Sequence, residues 1–165
     1  MSRLNPDFKV FNDPIKGEPL IAVPAVTPDV AFLHAACSDV YGNIRFVGSG
    51  FGDRTASRAS AMTIVQVEKI VSNEEVRMTP EKTSIHGVDH VVRAPWGAHP
   101  FSSPGYYLHD DEQIAEYVAA GKQFLKNRDR GPIDAFLQKW VFGPESHVDY
   151  LERVGIRKLC SLYEY

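Results

Sequence analysis

The stretch DVAFLHAA, Asp29 to Ala36, decides how this chain is read. It is an apolar run of strand length, bounded by Pro28 on one side and by CSDVYGN, Cys37 to Asn43, on the other. A strand with one wetted face alternates apolar and polar side chains. Continuous apolarity fits a strand buried on both faces.

Working outward, YGN (Tyr41–Asn43) is a turn signal, and IRFVG (Ile44–Gly48) alternates like a second strand. DRTASRASAM (Asp53–Met62) reads as an alanine-rich helix with Asp53 as its N-cap. TIVQVEKIV (Thr63–Val71) and VDHVVRA (Val88–Ala94) are β-branched and read as two more strands, each followed by a loop. The last third changes period. DDEQIAEYVAAGKQFL (Asp110–Leu125) places Ile114, Tyr117, Val118 and Leu125 at helical spacing behind an acidic first turn. PIDAFLQKWVFG opens with proline and closes with glycine, and ESHVDYLERVG opens acidic and also stops at glycine. The prediction is a small sheet covered by helices, helical from about residue 110, with the terminal helices folding back or docking on a partner. Residues 1–27 carry Pro6, Pro14, Pro19 and Pro24 and read as an extended loop-like arm, with one extended piece at LIAV.

Composition narrows the class. Hydrophobic residues are 44% and charged residues 24% of 165, as in soluble globular proteins. A net charge of -3 leaves no basic footprint, which argues against nucleic acid as a partner. Cys37 and Cys160 are too few and too distant for a disulfide framework, which suits a reducing cytoplasm. The polar, proline-broken start lacks the apolar core of a signal peptide. No run reaches the roughly 18 apolar residues of a membrane helix. The expectation is a soluble, cytoplasmic chain without a membrane partner.

Several candidate sites have competing readings. His86 and His90 would share a helix face as metal ligands, but Gly87 and the β-branched run put them on a loop entering a strand. Residues four apart there lie about 13 Å apart, and no HExxH or CxxC supports a metal, so none is expected. Cys37, at a strand end before Ser38 and Asp39, is either a nucleophile or a small buried hydrophobe. GSGFGD, Gly48 to Asp53, follows a strand and opens a helix like a phosphate loop, but its GxGxG spacing matches no nucleotide fingerprint. Glu68 falls inside an apolar strand and must be paired or face a solvated edge. The seven residues APWGAHP, Ala94 to Pro100, form a rigid aromatic corner around His99.

In order along the chain, these segments resemble the C-terminal half of the alpha (A-type) subunit of family I CoA-transferases, especially that of the glutaconate CoA-transferases. The resemblance is carried by Pro28, Asp29, His34, Ala35, Asp39, Gly42, Asn43, Val67, Glu68, Ile70, Val71, Val88, Asp89, Gly97, Ala98, His99 and Pro100. It extends from about Pro14 through the terminal FLQKWVFGPESHVDYLERVGIRKL. It implies an α/β fold with an open, mostly parallel sheet, incomplete alone, over residues 28–165. It also implies that the catalytic glutamate lies on a partner beta-type chain and that a further chain supplies the N-terminal half of the alpha subunit. Coenzyme A and its thioester would be substrates, with no permanently bound cofactor. By the same resemblance Asp39, Gly42, Asn43, Gly48, Gly50, Trp96, Gly97 and His99 would border the acyl-CoA cleft. The catalytic residues of this chain itself remain unassigned. Two other functions stay open: a related ring-opening acyl-CoA hydrolase of the steroid-degradation type, and a non-catalytic assembly or CoA-binding module.

Overall fold

The computed structural model describes residues 5–48 and 50–163. Its central sheet has four strands: β3 (Val30–Ser38), β4 (Ile44–Arg45), β5 (Met62–Ile70) and β6 (His90–Arg93), in the order β4-β3-β5-β6. β3, β5 and β6 run parallel, and only the short β4 is antiparallel. The continuous apolar run thus becomes an interior parallel strand, in register from Val30 opposite Met62 to Ser38 opposite Ile70. Helix α1 (Asp53–Ala59) makes the crossover between β3 and β5. Helix α2 (Asn73–Met78) and a 3₁₀ turn (Pro80–Lys82) lie between β5 and β6.

One face of the sheet meets the core. Ala35, Val65 and Val67 pack with Ile44 and Ile85, and Leu33, Phe46, Val88 and Val91 close around them. Full burial contributes roughly 1.5–3 kcal/mol for each of the larger side chains. The opposite face is divided. Around His34, Gln66 and Glu68 it is covered by the segment after β6, while Val30, Phe32 and Met62 toward the strand starts, and Val92 on the edge strand β6, remain exposed, Phe32 by 65%.

The rest of the chain is helical from Asp111: α3 (Asp111–Asn127), α4 (Gly131–Leu137) running into a π-helical turn (Gln138–Phe142), α5 (His147–Val154) and α6 (Ile156–Ser161). Asp110 caps α3 by accepting from the amides of Glu112 and Gln113, and Ser146 caps α5 through Asp149. The terminal helices fold back, and the Leu108 amide donates to the carbonyl of Leu162.

Two local expectations are corrected. The arm is not loop with one extended piece: Lys9–Asn12 (β1) and Pro19–Ala22 (β2) pair as an antiparallel hairpin, and Pro19 is tolerated there because a two-stranded sheet has only edges. The N-cap of α1 is Gly52, not Asp53, which sits in the first turn without a capping bond and still faces the positive end of the helix.

Candidate functional site

The segment Ala94–Asp110 lies over the carboxyl ends of the parallel strands, the position where open α/β sheets place their ligands. It is fastened from beneath by a residue that the sequence left open between a paired and a solvated role. Glu68, on β5, is 6% exposed. One carboxylate oxygen accepts from the Trp96 amide at 2.7 Å. The other accepts from the Tyr107 hydroxyl at 2.7 Å and lies 2.8 Å from His34 Nε2. Burial alone would raise this carboxyl, but the bonds from His34, Tyr107 and the Trp96 amide outweigh it and hold Glu68 below the ordinary range. Tyr107 moves the other way: burial first, then the bond to Glu68, pushes its hydroxyl far up, so it remains a donor.

That clamp fixes an unusual backbone. Trp96 has φ 64°, the left-handed region that a bulky residue enters only under constraint. Its ring stacks on Tyr107 with centroids 4.1 Å apart and meets Tyr163 edge-on at 5.3 Å. Gly97 completes the turn: its carbonyl accepts from Gln66 Nε2 at 2.9 Å, and a Cβ there would stand 2.7 Å from the Ala94 carbonyl oxygen. The result is a preformed aromatic wall beside a cavity of about 250 Å³, lined by Glu68, Lys69, Arg93, Trp96, Tyr106 and Tyr107 among others.

Ser103, His34 and Glu68 lie in a row but do not form a relay. Ser103 Oγ, at 3.3 Å, and Glu68 both face the same ring nitrogen, Nε2, whereas a hydrolytic triad uses the two opposite nitrogens. Cys37 is half-buried; burial pushes its thiol up, with Arg45 offsetting part, so it is not an activated thiolate.

The remaining predicted residues fall into three places. Asp39 and Asn43 build the β3–β4 turn: Asp39 accepts from the amides of Tyr41 and Asn43 and from the side chains of Asn43 and Asn73. Burial opposes its charge, but those four bonds keep it below the ordinary aspartate range. Gly42 sits in the same turn at φ 78°, against the Val88 backbone. Asp39 and Gly42 line a second cavity of about 460 Å³ that shares Arg93 with the aromatic one. Gly48 (φ 79°) lies beyond β4, and Gly50 borders a separate polar cavity with Phe46, Phe51 and Arg54.

His99 is a fastening inside the corner. Its Nδ1 lies 2.6 Å from the Tyr150 hydroxyl on α5, and its Nε2 lies 3.4 Å from Asp110, the cap of α3. Burial lowers its proton affinity, with Asp110 opposing. Its ring faces an apolar cavity of about 350 Å³ between α3 and α4 rather than the Trp96 cavity. Sequence reasoning missed Tyr107, Lys69 and Arg93 and left the use of Glu68 open. The available signal was the single carboxylate inside an apolar strand, which obliges nearby donors.

Comparison with known proteins gives the family. The family described as Coenzyme A transferase matches residues 10–94. The A-type subunit of glutaconate CoA-transferase from Acidaminococcus fermentans is 38% identical over 94% of this chain and 48% of its own length. The A-type subunit of 3-oxoadipate CoA-transferase from Pseudomonas knackmussii is 30% identical over 94% of this chain and 53% of its own. A shorter match, 34% identical over 65% of this chain, is to the cholesterol ring-cleaving hydrolase IpdA subunit of Rhodococcus jostii. The crystal structure of glutaconate coenzyme A-transferase from A. fermentans superposes with a TM-score of 0.89 at 37% identity, covering 96% of this chain and 49% of that one. The chain spans about half the length of those two CoA-transferase subunits. Among the described residues no helix is long and apolar enough to cross a membrane. With its parallel sheet and the family match over residues 10–94, this chain belongs to the coenzyme A transferase family.

Proposed function

We propose that this chain serves as part of the A-type subunit of a cytoplasmic CoA-transferase, moving CoA between a carboxylic acid and an acyl-CoA thioester. The observation that carries this reading is the likeness to the A-type subunit of glutaconate CoA-transferase over 94% of the chain. A span that long necessarily includes the Glu68–Trp96–Tyr107 corner. In the proposed reaction a glutamate carboxylate of a beta-type partner attacks the thioester carbonyl. The C–S bond breaks, giving an acyl–glutamyl anhydride and CoA thiolate. The thiolate then attacks the glutamyl carbonyl, releasing the first carboxylic acid and leaving a glutamyl–CoA thioester. A second carboxylate reverses the sequence. CoA enters as substrate, with no resident cofactor.

The chain's own residues support a wall rather than a nucleophile. Both oxygens of Glu68 are engaged by donors, and the Cys37 thiol is pushed up by burial. Asp39 and Gly42 line one border of the cleft, with Asn43 bonded to Asp39 in the same turn, and Trp96 lines the other, with Gly97 beside it in the corner, while Arg93 lines both. Gly48 lies beyond β4, Gly50 borders a separate polar cavity, and His99 acts from behind the wall. Two partners complete the enzyme: a beta-type chain, and the N-terminal half of the A-type subunit on whichever chain carries it. The bare apolar end of the sheet, with Val30, Phe32, Met62 and Val92, supports that second partner.

Co-expression with both partners, followed by native mass measurement and product analysis, tests the reading. A stoichiometric complex that converts acyl-CoA and free acid into the exchanged pair is the expected result. A monomer that recruits neither partner and supports no exchange overturns it. Opening of a cyclic CoA ester without transfer would establish the ring-opening hydrolase instead. A complex that binds CoA without turnover would establish the non-catalytic module.

A further inference from the structure

We propose that Lys69 and Arg93 form the anion-holding lip of a small ligand site at the carboxyl ends of β5 and β6. The site takes a carboxylate or phosphate group carried beside an apolar or flat body. This deepens the acyl-CoA reading above and rests on it for the identity of the ligand, though not for the existence of the site.

Arg93 pairs in register with Val67 on the neighbouring strand and Lys69 lies two residues beyond Val67, so both cations belong to one face at the same end of the sheet, the face opposite Glu68, and meet the cavity at its edge. Both line the 250 Å³ cavity beside Trp96 and Tyr106. Both charges are uncommitted: among the described residues neither side chain makes a hydrogen bond or ion pair. Several other exposed cations are equally free, Lys122 and Lys126 among them, but they do not line this cavity; Arg45 and Lys158 are engaged, Arg45 donating to the carbonyls of Val76 and Thr79 and Lys158 bridging Asp110 and Glu112.

Nearby carboxylates do not consume the lip. Glu68 is satisfied by Trp96, Tyr107 and His34, and Asp39 by four N–H donors. Asp89 accepts from the Thr63 amide at 2.7 Å. Two cationic residues thus line the edge of a cavity whose buried carboxylate, Glu68, is already held by three donors, and an anion from outside is the complementary charge. The wall is already rigid, because Trp96 is held by Glu68 and by stacking on Tyr107, so ordering costs on binding are small. The volume equals about eight water molecules, enough for an anionic head and a few carbons but not for a whole coenzyme. Arg93 also borders the adjoining 460 Å³ cavity, through which the rest of a longer ligand could run.

Two sources share this chemistry: a second carboxylate on the acid substrate, and a phosphate of CoA. Calorimetric titration of the full chain with glutarate, butyrate, CoA and dephospho-CoA separates them. It is paired with tryptophan fluorescence in a Trp140→Phe background, which isolates Trp96. Saturable binding of glutarate but not butyrate assigns the acid's second carboxylate; binding of CoA but not dephospho-CoA assigns the phosphate. In either case the double variant Lys69→Gln/Arg93→Gln should weaken binding roughly tenfold or more. Lys122→Gln/Lys126→Gln on α3 should leave it unchanged. Both lip residues are exposed, so circular dichroism and Tm should match the parent. No saturation by any probe at up to roughly 10 mM, or undiminished affinity in the lip variant, overturns the proposal. The titration requires no partner and no turnover, so it can fail while the transferase reading stands, and the reverse.

Discussion

Replacing Glu68 by glutamine is the sharpest perturbation of the corner, because it keeps the shape and removes the charge. The carboxylate accepts from three donors, the Trp96 amide, the Tyr107 hydroxyl and His34 Nε2, all within 2.8 Å. A glutamine offers one carbonyl oxygen, and its NH₂ must face a group that also donates. Bonds to a charged acceptor contribute about 1.5–3 kcal/mol against about 1 for neutral ones, so weakening three costs several kcal/mol before relief of the buried charge offsets part. The expected net loss is about 2–3 kcal/mol, or a Tm lower by roughly 4–12 °C for a chain of this size. Urea unfolding followed by far-ultraviolet circular dichroism gives the stability, and tryptophan fluorescence reports release of the Trp96 ring from Tyr107. A Glu68→Gln chain within about 0.5 kcal/mol of the parent, with unchanged fluorescence, would refute the view that Glu68 fastens the wall.

Three further outcomes follow from the geometry. Because Trp96 is left-handed, Trp96→Gly should be about 0.5–1 kcal/mol more stable than Trp96→Ala despite glycine's greater unfolded freedom; the reverse order in paired urea titrations would contradict the strain. Gly42→Ala meets both a left-handed φ and the Val88 backbone at 2.8 Å, so it should lose about 2–4 kcal/mol, while Gly17→Ala, equally left-handed but with open space, should lose about 1; equal losses would remove the close-approach argument. Stability should also fall with acid in two stages. Below 6.5, the ordinary histidine value, the unfolded chain takes up a proton that buried His99 resists. Below 4.5 for Glu68, and 3.8 for Asp39 and Asp110, the unfolded carboxyls protonate before the native ones. Urea midpoints measured from pH 8 downward should lose the first stage in His99→Gln, and an unaltered profile in that variant would contradict the assignment.

The parallel sheet was legible because its cause is local: in Val30–Ala36 only His34 is polar, so the run has no wetted face of its own, although Val30 and Phe32 at its start are exposed rather than buried on both faces as the run implied. The helices from Asp111 onward were legible for the same reason, since their caps and apolar spacing lie within each segment. The hairpin of the arm was not, because its pairing of Lys9 with Ala22 and Asn12 with Pro19 joins two short exposed strands with little burial to pattern them. The corner was half legible. APWGAHP marked the place, and Trp96 and Gly97 do form the wall. What holds them comes from far along the chain: Glu68 lies 28 residues before Trp96, and Tyr107 reaches Glu68 across 39. His99 drew attention as a titratable residue in a rigid turn, yet its partners Tyr150 and Asp110 turn it inward. Lys69 and Arg93 carry no motif, and only the register of β5 and β6 brings them to one rim.

The proposal that this chain forms one wall of an acyl-CoA cleft completed by partners is tested most directly by transfer of CoA from an unlabelled thioester to an isotopically labelled free acid, read by mass spectrometry of the reconstituted complex. Labelled acyl-CoA should form only when this chain and the beta-type partner are both present, and should diminish with Trp96→Ala. Equal label incorporation by the partners without this chain, or none by the fully assembled complex, would contradict it.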